Sequence, residues 1–459
     1  MNLVYGVKDK PKAGQIVVFA FQQLLAILAA TIAVPAIIGN GMSQSAALFG
    51  AGVGTIVYLL FTKFKSPVFL GSSFAFIGSM FAAFGGAASA ASGFAGLIIG
   101  AIFAGLVYVV IAIVVKIAGV AWISKLMPAV VIGPTVAIIG LSLAGNAIGD
   151  AIPQITNEAG EAVGINWAGF LCALVTLFVV IISSVYGKKT VKLIPFIIGI
   201  AAGYAVATIF TVIGTKTGNA NLVLVNFSLF KNMQWVPDFT FMQAFKGIGE
   251  IKASYVATIA VAYIPVAFVV FAEHIADHKN LSSIIGQELL EEPGLHRTLL
   301  GDGIGSMVGA IFGGCPNTTY GESVGCVAIT GNASIVTILA TAILAIIASF
   351  VAPFVTFLAT IPSCVMGGVC ITLYGFIAVS GLKMIQGVDL GDNRNLFVVA
   401  TILIAGIGGM SLTIGKVTLT EVACALILGI IVNLVCSRAP APAAPAEAAA
   451  EAAAEETAE

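Results

Sequence analysis

Charge is what this chain has least of. Only 9% of its 459 residues are Asp, Glu, Lys or Arg, 59% are hydrophobic, and the mean hydropathy is +1.09. A soluble domain carries about 25% charged residues, so a soluble globular fold is excluded and a polytopic membrane protein remains. A basic surplus is missing too. The formal net charge is −1, which removes the electrostatic case for a nucleic-acid partner. The seven cysteines, in or beside apolar stretches, form no CxxC pair. They read as small apolar filling. The opening MNLVYGVKDKPKAGQ holds Lys8, Lys10 and Lys12 but no short apolar run with a cleavage site, so it reads as a cytoplasmic lead and not a signal peptide. The tail from Arg438, RAPAPAAPAEAAAEAAAEETAE, lacks the mixed pattern of a folded domain and is expected to be disordered or a fraying helix.

What is present is a series of apolar runs, each near the roughly 20 residues a span needs. Candidates fall at 14–39, 47–63, 67–90, 94–116, 127–145, 165–186 and 191–214. After a more polar stretch they resume at 254–279, 298–314, 315–332, 333–353, 359–382, 395–412 and 418–436. The expectation is an all-α polytopic membrane protein of fourteen transmembrane segments. With the N-terminus inside, only Lys216, Lys231, Lys246, Lys252 and Lys416 of the 20 basic residues fall outside, as the positive-inside rule asks. Inner Lys125 and Lys189 belong to the majority. Seven spans per half give the halves opposite orientations, the inverted-repeat plan of many secondary transporters.

Two of these segments, the third and the tenth, are unusual. SPVFLGSSFAFIG (66–78) contains Ser72-Ser73-Phe74, and CPNTTYGES (315–323) contains Thr318-Thr319-Tyr320. Each is a hydroxyl pair followed by an aromatic, in a segment marked by Gly and Pro. Such pairs disfavour a continuous helix, and Thr tolerates an extended chain. Each segment is therefore expected to be part extended strand and part half-helix. Irregular backbone at membrane depth must be buried or line a cavity, and two half-helix N-termini aimed at one spot offer free N–H groups to a ligand's carbonyl oxygens. The alternative is that both are Gly/Ser packing surfaces between helices.

The other signal is FAEHIADHKN (271–280). Glu273 and Asp277 are i,i+4 and share a helix face, as do His274 and His278 on the neighbouring one. Ionisable groups inside a span are costly and default to functional candidates. Glu322 lies early in the tenth segment, so it and Glu273 can approach a midplane site from opposite walls. The His spacing suits two zinc ligands, but the HExxH order puts the Glu after the first His, whereas Glu273 precedes it. No further Cys/His cluster completes a site, so no metal is expected. His278 reads as a helix-end residue near the cytoplasmic boundary.

At these residues the chain resembles the nucleobase/ascorbate transporter family, most closely its bacterial uracil permeases. The resemblance runs from about Tyr5 to Ser437 through LLAILAATIAVP, LGSSFAFIG, AEHIADH, EEPGLHRTLLGDG, GGCPNTTYGES and PSCVMGGVCITLYG. It implies core spans 1–4 (14–126) and 8–11 (254–353), and gate spans 5–7 (127–214) and 12–14 (354–437). The lead 1–13, an extracellular connection 215–253 and the tail 438–459 complete the chain. It also implies proton-coupled uptake and a homodimer. By motif, Glu273 and Glu322 match substrate-binding glutamates, and Phe74 and Gly321 match positions whose N–H groups meet the base. Ala30, Tyr320 and Tyr374 match pocket neighbours. The sequence departs from the family at Gln22-Gln23, where a Gln-His pair is familiar. It departs again at Asp277, which is His in some uracil permeases, and at Ser323, where Asn is common.

The expected function is a proton-coupled uracil symporter working by alternating access, in lipid at the bacterial cytoplasmic membrane with both termini cytoplasmic. Uracil offers two ring N–H donors to two carboxylates and two carbonyls to two half-helix N-termini, and Phe74 and Tyr320 can pack on its ring. Uracil is neutral at pH 7, so accumulation needs a coupled ion. The proton gradient supplies the energy with no cofactor, and Asp277 and Glu273 are the candidate carriers. A xanthine or other purine permease is the first alternative, disfavoured by TTYGE in place of a Gln-containing motif. An anion transporter of the same architecture is disfavoured because two pocket carboxylates repel anions. A channel or membrane hydrolase is the reading from another class.

Overall fold

Within a bilayer every backbone polar group must be satisfied inside the protein, so apolar runs of this length fold as helices. The computed structural model describes residues 3–119, 122, 128–156, 161–188, 190–414 and 417–438. The tail 439–459, Lys125, Lys189 and Lys416 lie outside the described residues. Eight helices among the described residues are long and apolar enough to cross a membrane: Ala13–Ile38, Gln44–Phe61, Ala90–Ala118, Ala129–Ala151, Trp167–Tyr186, Pro195–Thr217, Ala253–Ile285 and Ser363–Met384. Ile335–Ser349 and Ala352–Ala359 form a further pair bent by 81°. Other apolar segments are short, among them Asn393–Ile407 and Glu421–Cys436. Among the described residues, the fourteen apolar runs are thus not fourteen full-length helices.

The helices pack in two groups. In one, Gln44–Phe61 and Ala90–Ala118 lie on Leu295–Gly313, with Ala253–Ile285 and Ile335–Ser349 beside them. Backbones approach closely there: a Cβ on Gly50 would lie 2.4 Å from the Gly309 carbonyl oxygen, a contact that only a small residue permits. In the other, Ser363–Met384 packs on Ala129–Ser142 and Trp167–Tyr186, and Asn393–Ile407 packs on Glu421–Cys436.

Two three-residue strands sit inside the first group. Leu70–Ser72 pairs antiparallel with Asn317–Thr319, with Leu70 opposite Thr319, Gly71 opposite Thr318 and Ser72 opposite Asn317. All six residues are buried. The ladder runs on at both ends, where Ser73 N–H donates to Pro316 O (2.9 Å) and Tyr320 N–H donates to Phe69 O (3.2 Å). Each strand leads into a helix too short to span a membrane. The first continues through a 3-10 turn, Phe74–Phe76, into Ile77–Gly85, and the second into Gly321–Thr330. Tyr320 locks the pair. Its ring occupies the space a Cβ on Gly71 would need, 2.2 Å from the nearest ring atom, and its hydroxyl donates to Ser72 O at 2.9 Å.

Candidate functional site

Antiparallel pairing of the strands brings the starts of the two half-helices to opposite sides of one cavity of about 340 Å³, within the range of small-molecule sites. The first strand-to-helix junction contributes Ser73, Phe74 and Ala75, and the second Thr318 to Glu322. Glu273, Ala276 and Asp277 come from the helix Ala253–Ile285. The facing wall belongs to the second helix group and is apolar apart from Ser380, with Phe196, Phe376 and Ile377 among its residues. Neither half-helix start is closed by an N-cap side chain, so first-turn N–H groups and the positive end of each helix dipole remain for a ligand.

Three carboxylates meet at this cavity. Those of Glu273 and Glu322 have no hydrogen-bond partner on another described residue. Asp277 has one: Thr319 Oγ1 donates to its Oδ2 at 2.8 Å. Its Oδ1 also lies 3.8 Å from where a Cβ on Gly321 would sit. Asp277 therefore leans on the start of the second half-helix, held by Thr319, the second hydroxyl of the pair that interrupts the helix.

Of the residues singled out in the sequence, Glu273, Asp277, Glu322, Phe74, Tyr320 and Gly321 line the cavity together. Ala30 and Tyr374 do not. Ala30 is buried in one cluster with Phe69 and Tyr320. Tyr374 stands behind Phe74, ring centroids 5.9 Å apart and edge to face. Two departures from the family pattern meet each other: Gln23 Nε2 donates to Ser323 Oγ at 2.6 Å, and Phe69 N–H donates to the same oxygen at 3.2 Å. The pair ties the first helix, the first strand and the second half-helix together directly behind Glu322.

Behind Glu273 lies a polar network that the sequence reading missed. His274 Nδ1 lies 2.7 Å from Asp302 Oδ2, with both side chains fully buried. His274 Nε2 lies 2.9 Å from Thr298 Oγ1, which donates to Leu295 O at 3.0 Å. The placing of His278 at a helix end is corrected. The helix runs on to Ile285 and His278 is fully buried. Its Nδ1 donates to His274 O at 2.8 Å, and its Nε2 lies 2.7 Å from the Tyr58 hydroxyl. The available signal was Asp302 itself, a lone acid inside the predicted span 298–314.

Chemically, the site presents carboxylate acceptors on one side, backbone donors at two helix starts and apolar surface between. That suits a small, flat, neutral molecule carrying both N–H and carbonyl groups. Comparison with known proteins agrees in kind. The Permease family (Xan_ur_permease) matches residues 14–415. The uracil permease of Bacillus caldolyticus is 38% identical over 435 residues, covering 94% of each chain. The uracil permease of Bacillus subtilis (strain 168) is 37% identical over 438 residues, covering 95% of each. Among solved structures, the transmembrane domain of a cyanobacterium bicarbonate transporter, BicA, aligns with a TM-score of 0.65 at 16% identity, covering 95% of this chain and 100% of that one. That likeness concerns the fold alone.

Proposed function

From the premise that this chain belongs to the Permease family, membrane transporters and not enzymes, we propose that it takes up uracil together with protons by alternating access. One observation carries the reading: two carboxylates with no hydrogen-bond partner on another residue among the described residues, Glu273 and Glu322, and two half-helix starts without an N-cap side chain, at Phe74 and Gly321, face one cavity of about 340 Å³. Uracil presents two N–H donors and two carbonyls, which those groups complement. Phe74 and the apolar facing wall leave room for a flat ring between them. The full-length relatives at 37% and 38% identity are uracil permeases, which supports the choice of base.

In this reading the helix group carrying both half-helices is the core, and the group of Ser363–Met384 is the gate. Fourteen segments form a seven-plus-seven inverted repeat, and the core rocks against the gate around the bound base. Proton movement runs through Asp277 or Glu273. The protein lies in a bacterial cytoplasmic membrane with both termini inside, and pairs as a homodimer through gate helices. Mass measurement in nanodiscs tests the pairing, with twice the chain mass expected; a fully active monomer contradicts it. The fold it shares with a bicarbonate transporter raises an anion as cargo, but the carboxylates lining this cavity repel anions.

A nucleobase panel against purified protein tests the reading. A ligand at 100 times its Kd stabilises by about 2.7 kcal/mol. Uracil is expected to raise the unfolding temperature, with xanthine and bicarbonate inert. A response to xanthine alone moves the reading to a purine permease.

A further inference from the structure

The second half-helix, Gly321–Thr330, is ten residues long and therefore about 15 Å from end to end. Glu322 sits in its first turn. A helix this short cannot be held by two membrane interfaces, so something inside the protein must fix its far end. A swing of about 10° there moves the Glu322 end by roughly 2.6 Å, enough to break any hydrogen bond it makes. The first half-helix is pinned by a side chain: the Tyr255 hydroxyl donates to Ala83 O at 2.6 Å and lies 3.3 Å from Ser92 O.

The second is pinned differently. It ends at Gly331, in the left-handed region at φ 67°. Beyond it the chain is gripped by the N-terminal segment. Val4 N–H and Tyr5 N–H both donate to Gly331 O, at 2.8 and 3.1 Å. Tyr5 O accepts from Ala333 N–H at 2.8 Å, and Val7 O accepts from Ile335 N–H at 3.1 Å. Ser334 Oγ donates to Asp9 O at 2.7 Å. Tyr5 and Asn332 form a parallel bridge. Val7, 8% exposed, shares a buried cluster with Val324 and Val327 on the half-helix itself and with Leu281 on the helix that carries Glu273 and Asp277. The hydrogen bonds join segments more than 300 residues apart, and the backbone bonds among them converge on the turn that ends the half-helix.

We propose that residues 3–9 are a positioning strap for the substrate site: by clamping residues 331–335 they set the tilt of the second half-helix and hence the place of Glu322 in the cavity. The strap does not touch the substrate. It acts through the half-helix, with Val7 as its apolar anchor and the backbone of Val4, Tyr5 and Val7 as the lock. The proposal rests on Glu322 being a ligand of the transported base.

The test is uracil affinity of purified full-length chain carrying Val7→Asp, Val7→Ala or Val7→Ile, with the unfolding temperature and amide exchange of residues 321–330 measured alongside. Misplacement by about 1 Å can cost around a hundredfold at a tuned site. Val7→Asp is expected to raise Kd at least about tenfold and Val7→Ala about threefold, with faster exchange in the half-helix. Val7→Ile is expected to stay within about twofold of the parent. If Val7→Asp does not purify as a single species, Val7→Ala decides. An unchanged Kd in the folded variants, even with a lower unfolding temperature, overturns the strap's positioning role and leaves it purely structural. Failure of the parent chain to bind uracil contradicts the transport reading instead, so the two failures are distinct.

Discussion

Replacing Asp302 probes the network behind the cavity. His274 has both ring nitrogens engaged. Thr298 uses its hydroxyl hydrogen on Leu295 O, so toward His274 Nε2 it can only accept, and that nitrogen must carry hydrogen. The 2.7 Å gap between Nδ1 and Asp302 Oδ2 then also holds one proton, whichever atom owns it. Asp302→Ala removes one partner of a fully buried pair, which costs about 3–5 kcal/mol. Asp302→Asn keeps the shape, and with its amide turned so that Nδ2 donates to the unprotonated Nδ1 of a neutral His274 it keeps both ring nitrogens matched. What is lost is the charge-assisted strength of the original bond, about 1 kcal/mol. Reversible unfolding in mixed micelles of rising SDS fraction reads the difference. The expected order of stability is parent, then Asp302→Asn, then Asp302→Ala. A loss below about 1 kcal/mol for Asp302→Ala, or equal losses for both variants, refutes the proton count.

Three further outcomes are expected. Glu273→Gln and Glu322→Gln each set an amide donor against a donor of the base and weaken uracil binding by about 2–3 kcal/mol, roughly 30- to 150-fold in Kd by calorimetry; unchanged binding in either removes that residue from the site. Asp277→Asn is expected to abolish gradient-driven accumulation more than uracil exchange, because exchange need not cycle a proton, and equal loss of both counts against Asp277 as the coupling group. Gly71→Ala places a methyl 2.2 Å from the Tyr320 ring and is expected to cost about 1–3 kcal/mol in stability with weakened binding, whereas a neutral result means that Tyr320 is not locked there.

Much of the site was legible because its signals are local. Ser72-Ser73-Phe74 and Thr318-Thr319-Tyr320 announce a break in an apolar run, and Glu273, Asp277 and Glu322 are acids where acids are costly. The missing parts depend on tertiary contacts. Asp302 lies between two glycines in a run that also reads as a polar helix end, and only packing of its helix against His274 reveals its partner. His278 was misplaced because the helix continues past Lys279 to Ile285, and His278 itself is buried against Tyr58 and not in solvent. Gln23 and Ser323 each look like a lone departure until the fold puts them 2.6 Å apart. Span counting by hydropathy cannot separate a full helix from a strand plus half-helix, since both use the same apolar composition.

Counterflow in proteoliposomes separates a uracil carrier from a channel or an enzyme. Vesicles loaded with unlabelled uracil and diluted into labelled uracil should show a transient overshoot of label inside with the parent chain and none with Glu322→Gln. Only a carrier with a substrate-binding site, working alternately on its two sides, gives that overshoot. Label that merely equilibrates, or an overshoot of equal size with Glu322→Gln, contradicts the account.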